Sequence, residues 1–331
     1  MSEKNIYDRK YYNKEQKIDF LKSLESQYQD TSIDRISMLL SRLRDVEQEY
    51  GDDLCNFSLK YAKLTFVLKA TTSSKFNTKQ LSFIMKYVEW CEANGKCKFG
   101  NDSKWNMVDL NDIDLDYVYK IQTVKSPEHF QELLESVYQG LYGDVFQSEM
   151  GYIYKTVLYL LYLGVKDDEV GYILKSDVDC FNKIIKINDR VIPIDDYMIA
   201  CIQEIWDYTH VQKRVTNGKF NSTALIDSPY LIKKTKSGRP IANTTNRVDK
   251  EWVQWKCSEF SKRYRQSTGE AIVLPAKKIY DSGVFYKLLQ REQAGEKITV
   301  DEVVPFYSHF HISTSYSKLI DYKAWKQAYY G

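Results

Sequence analysis

The stretch FNKIIKI-ND-RVIPI, residues 181–194, constrains the fold more than any other. Two short β-branched runs flank the two-residue turn Asn188-Asp189, which is the pattern of a β-hairpin. Around it, apolar residues recur at helical spacing. Thr31-Ser32-Ile33-Asp34 reads as a helix start, and Ile36, Leu39, Leu40, Leu43 and Val46 continue it on one face. Further helices are expected over 57–69 and 78–93, with Gly95 stopping the latter. MGYIYKTVLYLLYLGV (150–165) reads as an apolar core helix, and KDDEVGYILKSDVDC (166–180) as a short amphipathic helix and a turn. Helices resume over 197–210, 246–268, 277–290 and 316–328, while SPYLIKKTKSGRPIA (228–242) reads as a short strand and a glycine turn. The expected class is mainly α with a small β-sheet or hairpin (α+β).

The segment 98–125 is polar and Asp-rich and is expected to be a linker, after which Ser126-Pro127-Glu128 has the form of a helix cap and first turn. The chain then divides into an N-terminal arm or short helix (1–30), a helical domain (31–120) and a mixed domain (121–331). Hydrophobic residues make up 43% and charged residues 28%, which excludes a disordered chain. No apolar run reaches the roughly 18 residues of a membrane span, and the N-terminus has no secretory h-region, so a cytoplasmic protein is expected. The cysteines at 55, 91, 97, 180, 201 and 257 are expected to be reduced core thiols. Cys91 and Cys97 have no His or Cys pair to complete a zinc site, so no metal and no cofactor is expected.

The formal net charge of +2 argues against nucleic acid, but its distribution does not. Between Thr209 and Tyr280 stand 15 Lys/Arg against 5 Asp/Glu. Such a block is an electrostatic footprint for phosphates, although a solvated helical face has the same composition.

Four segments, in order, resemble the catalytic domain of tyrosine recombinases (phage integrases). LLYLGVKDDEVGYILKSDVD (160–179) resembles the family's apolar helix, its G-[LV]-R-x-x-E-[LV] box and the turn into a hairpin. YLIKKTKSGRPIANTTNRVDKEW (230–252) resembles the Gly-x-Pro turn and basic helix. LPAKKIYDSGVFYKLL (274–289) resembles the H-x-x-R box, and YSHFHISTSY (307–316) the segment before the nucleophile. The helices of 31–95 resemble the family's core-binding domain. The resemblance implies a two-domain DNA clamp and a transesterification in which a tyrosine attacks a DNA phosphate while two arginines hold the developing charge.

Carried over residue by residue, those roles fall on other side chains. The first arginine falls on Lys166, which can touch a phosphate but cannot grip it bidentately. Aligned on Ser282-Gly283, the box histidine falls on Lys277 and its arginine on Tyr280. His309 matches the third-box histidine, and nine residues on, where the nucleophile is expected, stands Lys318. Tyr316 and Tyr322 flank it. The short hairpin turn leaves no room for the usual exposed lysine, which leaves Lys183 or Lys186 to approach. Asp168 and Glu169, after the first box, are read as structural.

A scaffold with those losses is expected to bind double-stranded DNA by sequence without cutting it, most economically as a phage transcriptional repressor that maintains lysogeny. Its expected phosphate contacts are Lys75, Lys79, Lys166, Lys233, Lys234, Lys236, Arg239, Arg247, Lys277 and Lys278, with Arg42 or Arg44 in support. Operator DNA, a second copy of the chain and a regulatory protein or peptide are the partners this reading admits. Two rival readings differ in class: an active divergent recombinase using Tyr316 or Tyr322, and a protein-interaction module whose basic surface is incidental.

Overall fold

In the computed structural model, residues 6–70, 74–98, 104–140, 149–214, 220–236, 246–307 and 312–331 are described. They fall into two compact units, Met1–Val118 and Tyr119–Gly331.

The first unit is built on helices α1 (Lys14–Ser23), α2 (Asp30–Tyr50), α3 (Leu59–Lys69) and α4 (Ser74–Ala93). The i, i+3, i+4 apolar face of α2 buries Ile33, Ile36, Leu39, Leu40, Leu43 and Val46. Gly51 ends this helix with a positive φ of 69°, a conformation that glycine adopts without a Cβ penalty. Within 1–30, helix α1 contributes Phe20 and Leu21 to the same core. It also contributes Lys17, fully buried and paired with Glu47 at 2.7 Å and Asp53 at 2.8 Å. A buried ammonium is tolerable only with such partners.

The linker expected over 98–125 is not one. Trp105 is fully buried in the first core, and its indole N–H donates to the Leu54 carbonyl at 2.8 Å. Val108 is buried in the same core, and the polar composition of the segment hid both anchors. Helix α5 (Leu115–Gln122) then crosses from the first unit to the second.

The second unit centres on α7 (Glu149–Leu163), whose Val157–Leu161 run is fully buried. Against it pack α8 (Asp196–Ile205) and α10 (Ala276–Gln293). Contact with α10 is so close that a Cβ on Gly283 would lie 1.7 Å from the Tyr162 carbonyl oxygen. Strands β1 (Val178–Asp179), β2 (Ile184–Ile187) and β3 (Arg190–Pro193) form an antiparallel sheet in that order. Ile187 pairs with Arg190 across the expected turn, where Asn188 takes a positive φ of 54°. Helices α6 (Pro127–Glu135), α9 (Lys250–Thr268), the one-turn α11 (Val300–Val303) and α12 (Ile312–Tyr330) complete the α-rich layer. On α12, Trp325 is fully buried and donates to the Val124 carbonyl at 3.1 Å. The last helix thus lies on its own chain.

Three local expectations are corrected. Residues 166–180 form 3-10 turns over Val170–Tyr172 and Lys175–Asp177 and the short β1 instead of an amphipathic helix. The helix expected to reach His210 stops at Ile205, and His210 opens strand β4 (His210–Arg214), antiparallel to β5 (Phe220–Ala224). The strand expected within 228–242 is reduced, over its described part, to the isolated bridges Leu174↔Tyr230, Leu225↔Thr235 and Lys233↔Arg247. All six cysteines are free, and none of the described helices is long and apolar enough to cross a membrane. The partner that spacing did not supply for Cys91 comes from a distant turn, since Cys55 and Asp53 lie against it.

Candidate nucleic-acid interface

Helix α7 ends at Gly164, whose φ of 109° turns the chain toward Lys166. The backbone N–H of Lys166 donates to Glu169 Oε2 at 2.9 Å, and its ammonium lies 3.9 Å from the same carboxylate. Glu169, expected to be structural, is therefore the hub of this turn. It also receives the guanidinium of Arg190, which reaches over from the first position of β3. A second Arg190 nitrogen donates to the Gly164 carbonyl at 3.3 Å. Lys287 of α10 donates to the Leu163 carbonyl at 2.7 Å. Two cations thus cover the last carbonyls of α7, where the helix dipole is negative. Burial, and secondly Arg190, hold the Lys287 ammonium below the usual lysine pKa.

Sequence reasoning did not single out Arg190 or Lys287. For Arg190 the available signal was its place directly after the Asn188-Asp189 turn. Lys183, weighed for that role, is exposed and paired with Asp196 at 2.7 Å, and Lys186 is exposed on β2.

Across the site, α10 carries the second box. Tyr280 is half-buried, and its hydroxyl donates to the Phe306 carbonyl at 2.8 Å. Burial pushes this phenol up to about 12, with nearby Arg190 opposing the shift. Lys277 is exposed. Lys278 is half-buried, 5.8 Å over the Tyr119 ring, and burial lowers its pKa. One turn on, Asp281 is completely buried. It accepts from the Tyr307 hydroxyl at 2.7 Å and from Lys318 at 2.5 Å.

Lys318, at the register expected for a nucleophile, is buried on α12 and also reaches Asp321 at 3.2 Å. Burial works against its charge, but Asp281 and Asp321 outweigh it and raise its pKa. Tyr316 is 60% exposed. Tyr322 is buried with its hydroxyl given to Glu292 at 2.5 Å, and burial and that carboxylate raise its pKa. His309 lies outside the described residues.

Many cations of the basic block are committed within the protein. Lys233 donates to the Tyr208 carbonyl at 3.0 Å, and the Arg247 guanidinium stacks 3.8 Å over Tyr172. Lys250 lies 3.6 Å from Asp167. Buried Lys256 and half-buried Arg263 share Glu259. Lys234 is half-buried and Lys236 exposed. In the first unit Lys79 and Arg42 are exposed, and Arg44 pairs with Asp45 at 2.8 Å. Arg239 lies outside the described residues, as does the side chain of Lys75. Lys166, Glu169, Arg190 and Tyr280 are thus brought to one place in the second unit.

The family model described as MrpR, N-terminal core-binding domain, matches residues 11–93, and that described as MrpR, C-terminal catalytic domain, matches residues 149–329. No curated protein matches the chain. Similar solved structures include the Tn1549 transposon integrase in complex with a circular intermediate DNA, at 12% identity over 92% of this chain and 94% of that one (TM-score 0.37). XerA recombinase aligns at 14% identity over 94% and 97% (TM-score 0.38). The integrase from mycobacterium phage Brujita aligns at 9% identity over 94% and 90% (TM-score 0.34). The family models, not these superpositions, carry the assignment.

Proposed function

Since the chain belongs to the MrpR family, with a core-binding domain followed by a catalytic-type domain, we propose that it is a sequence-specific double-stranded DNA-binding protein without strand-cleaving chemistry. The plan is tyrosine-recombinase-like, and the same residue pattern resembles the recombinase-like lysis repressor of SPβ-type Bacillus phages. The biological role we assign is accordingly a phage transcriptional repressor that maintains lysogeny.

The observation that carries this reading is the state of Lys318. At the nucleophile register stands a buried ammonium held by Asp281, with no hydroxyl to offer. Tyr280, at the second arginine register, has no positive charge, and its hydroxyl is already given to a carbonyl. Removing one transition-state donor costs on the order of 10²–10³ in rate, so the combined losses leave no useful cleavage. Arg190 and Lys166 share Glu169, two positive charges on one carboxylate, at the register where the resemblance expects a phosphate-holding arginine. That charge suits holding a phosphodiester better than splitting it.

The exposure of Tyr316 favours a second reading, in which it serves a divergent recombinase. The test of the main reading is selection of fragments from the source genome under excess competitor DNA. A few fragments retained at physiological salt support it. Affinity no better than roughly 10⁻⁴–10⁻⁶ M without sequence preference returns the chain to a protein-interaction module.

A further inference from the structure

Two thiols from separate parts of the first unit converge on one buried carboxylate, and a third follows close by in sequence. Cys55 comes from the 3-10 turn Leu54–Asn56, and Cys91 from the last turn of α4. The Sγ atoms of both and a carboxylate oxygen of Asp53 lie within 4.8 Å of one another, and all three residues are buried. Cys97 follows the turn after α4. There Gly95 takes a positive φ of 62°, Lys96 N–H donates to the Cys91 carbonyl at 2.8 Å, and the chain folds back. The Lys96 carbonyl lies 4.0 Å from Cys55 Sγ, which brings the next residue, Cys97, to the edge of the cluster.

The surroundings are polar and ordered, unlike those of thiols that merely fill a core. Gln16 donates to Cys91 Sγ at 3.4 Å and to the Tyr87 hydroxyl at 2.6 Å. Tyr87 in turn donates to Asp53 at 2.9 Å. Lys17 donates to Asp53 at 2.8 Å, and the Cys55 N–H donates to it at 3.2 Å. Hydrogen bonds of this kind orient the ligands of metal sites and tune their basicity.

We propose that Cys55, Cys91 and Cys97, with Asp53 as fourth ligand, form a tetrahedral site for a soft divalent cation of the zinc class. Zinc–sulfur bonds of about 2.3 Å place ligand sulfurs roughly 3.8 Å apart, so side-chain movements of about 1 Å close Asp53, Cys55 and Cys91 on an ion, and Cys97 swings in from the edge of the core to complete it. Binding converts three thiols to thiolates and releases three protons to solvent. The ion's two positive charges and Lys17 offset most of the resulting negative charge. The site ties the 3-10 turn to the end of α4 and so stabilises the first unit.

The experiment uses the full chain, purified under reducing conditions without a metal-affinity tag. Metal is measured by inductively coupled plasma mass spectrometry, and the chelator-treated protein is then titrated with cobalt(II). The expected result is one tightly held ion per chain, with the sulfur-to-cobalt charge-transfer bands of a thiolate site. Cys91→Ser and Cys97→Ser weaken binding by more than about 100-fold, since even losing an outer-shell partner costs 10–100-fold. Cys180→Ser, outside the cluster, leaves it unchanged. Cys97 is half-buried at the edge of the core, so its variant keeps the fold if Cys91→Ser does not. Metal-free protein that gives no charge-transfer band with cobalt overturns the proposal. So does undiminished binding by folded Cys97→Ser, or loss of two hydrogens to a Cys55–Cys91 disulfide with no metal uptake.

Discussion

Replacing Lys318 by methionine isolates the pair that occupies the nucleophile register. Asp281 is completely buried and Lys318 nearly so, and the two meet at 2.5 Å. Methionine keeps most of the aliphatic stem and removes the ammonium. Asp281 is then left with the Tyr307 hydroxyl as its remaining partner among the contacts described above. Removing one member of a buried pair costs about 3–5 kcal/mol, because a charge stays buried without compensation. For a unit of this size that is a fall of about 6–20 °C in Tm. Replacing both members, Lys318→Met with Asp281→Leu, removes the orphan charge and recovers much of the loss. The assay is urea unfolding of the four proteins of this cycle. Because the folded pKa of Lys318 is raised above 10.5, its contribution is fully present at neutral pH. It disappears only as pH rises through the folded value, so the gap between wild type and Lys318→Met is constant from pH 7 to 9. A single-variant cost below about 1 kcal/mol, or a double variant no more stable than Lys318→Met, refutes the reasoning.

Gly283→Ala places a Cβ 1.7 Å from a backbone oxygen of α7, so the two helices must separate; urea unfolding should show a loss of about 1–3 kcal/mol or more. Arg190→Ala leaves Glu169 less neutralised; DNA affinity should fall, and the slope of log K against log salt should shrink by about 1, as read by fluorescence anisotropy. Tyr316→Phe together with Tyr322→Phe should leave DNA affinity within twofold, while loss of the Tyr322–Glu292 hydrogen bond lowers stability by about 1 kcal/mol in thermal unfolding.

The features legible in the sequence are those that neighbouring residues decide. The Asn188-Asp189 turn between β-branched runs formed the hairpin, and the apolar periodicity of α2 and α7 placed two core helices. The Asn217-Gly218 pair, a hairpin signal, stood unused between two polar strands. Those strands escaped notice because Val211 is their one apolar residue known to be buried among the described side chains. Long-range pairing was not legible. Nothing near Lys318 announces Asp281, thirty-seven positions away. The convergence of Cys55 on Cys91 likewise depends on how α4 packs against the preceding turn. The role of Arg190 is not legible either, because a hairpin residue acquires it only when the strand is laid beside the end of α7.

The most direct test of the central claim is one binding reaction read two ways. Protein is mixed with fragments of its source genome, and the mixture is split between a native and a denaturing gel. The account predicts a few fragments shifted on the native gel, resistant to competitor, and all free after denaturation. A protein–DNA band that survives denaturation, and that vanishes in the Tyr316→Phe, Tyr322→Phe variant, means a covalent phosphotyrosine and contradicts it.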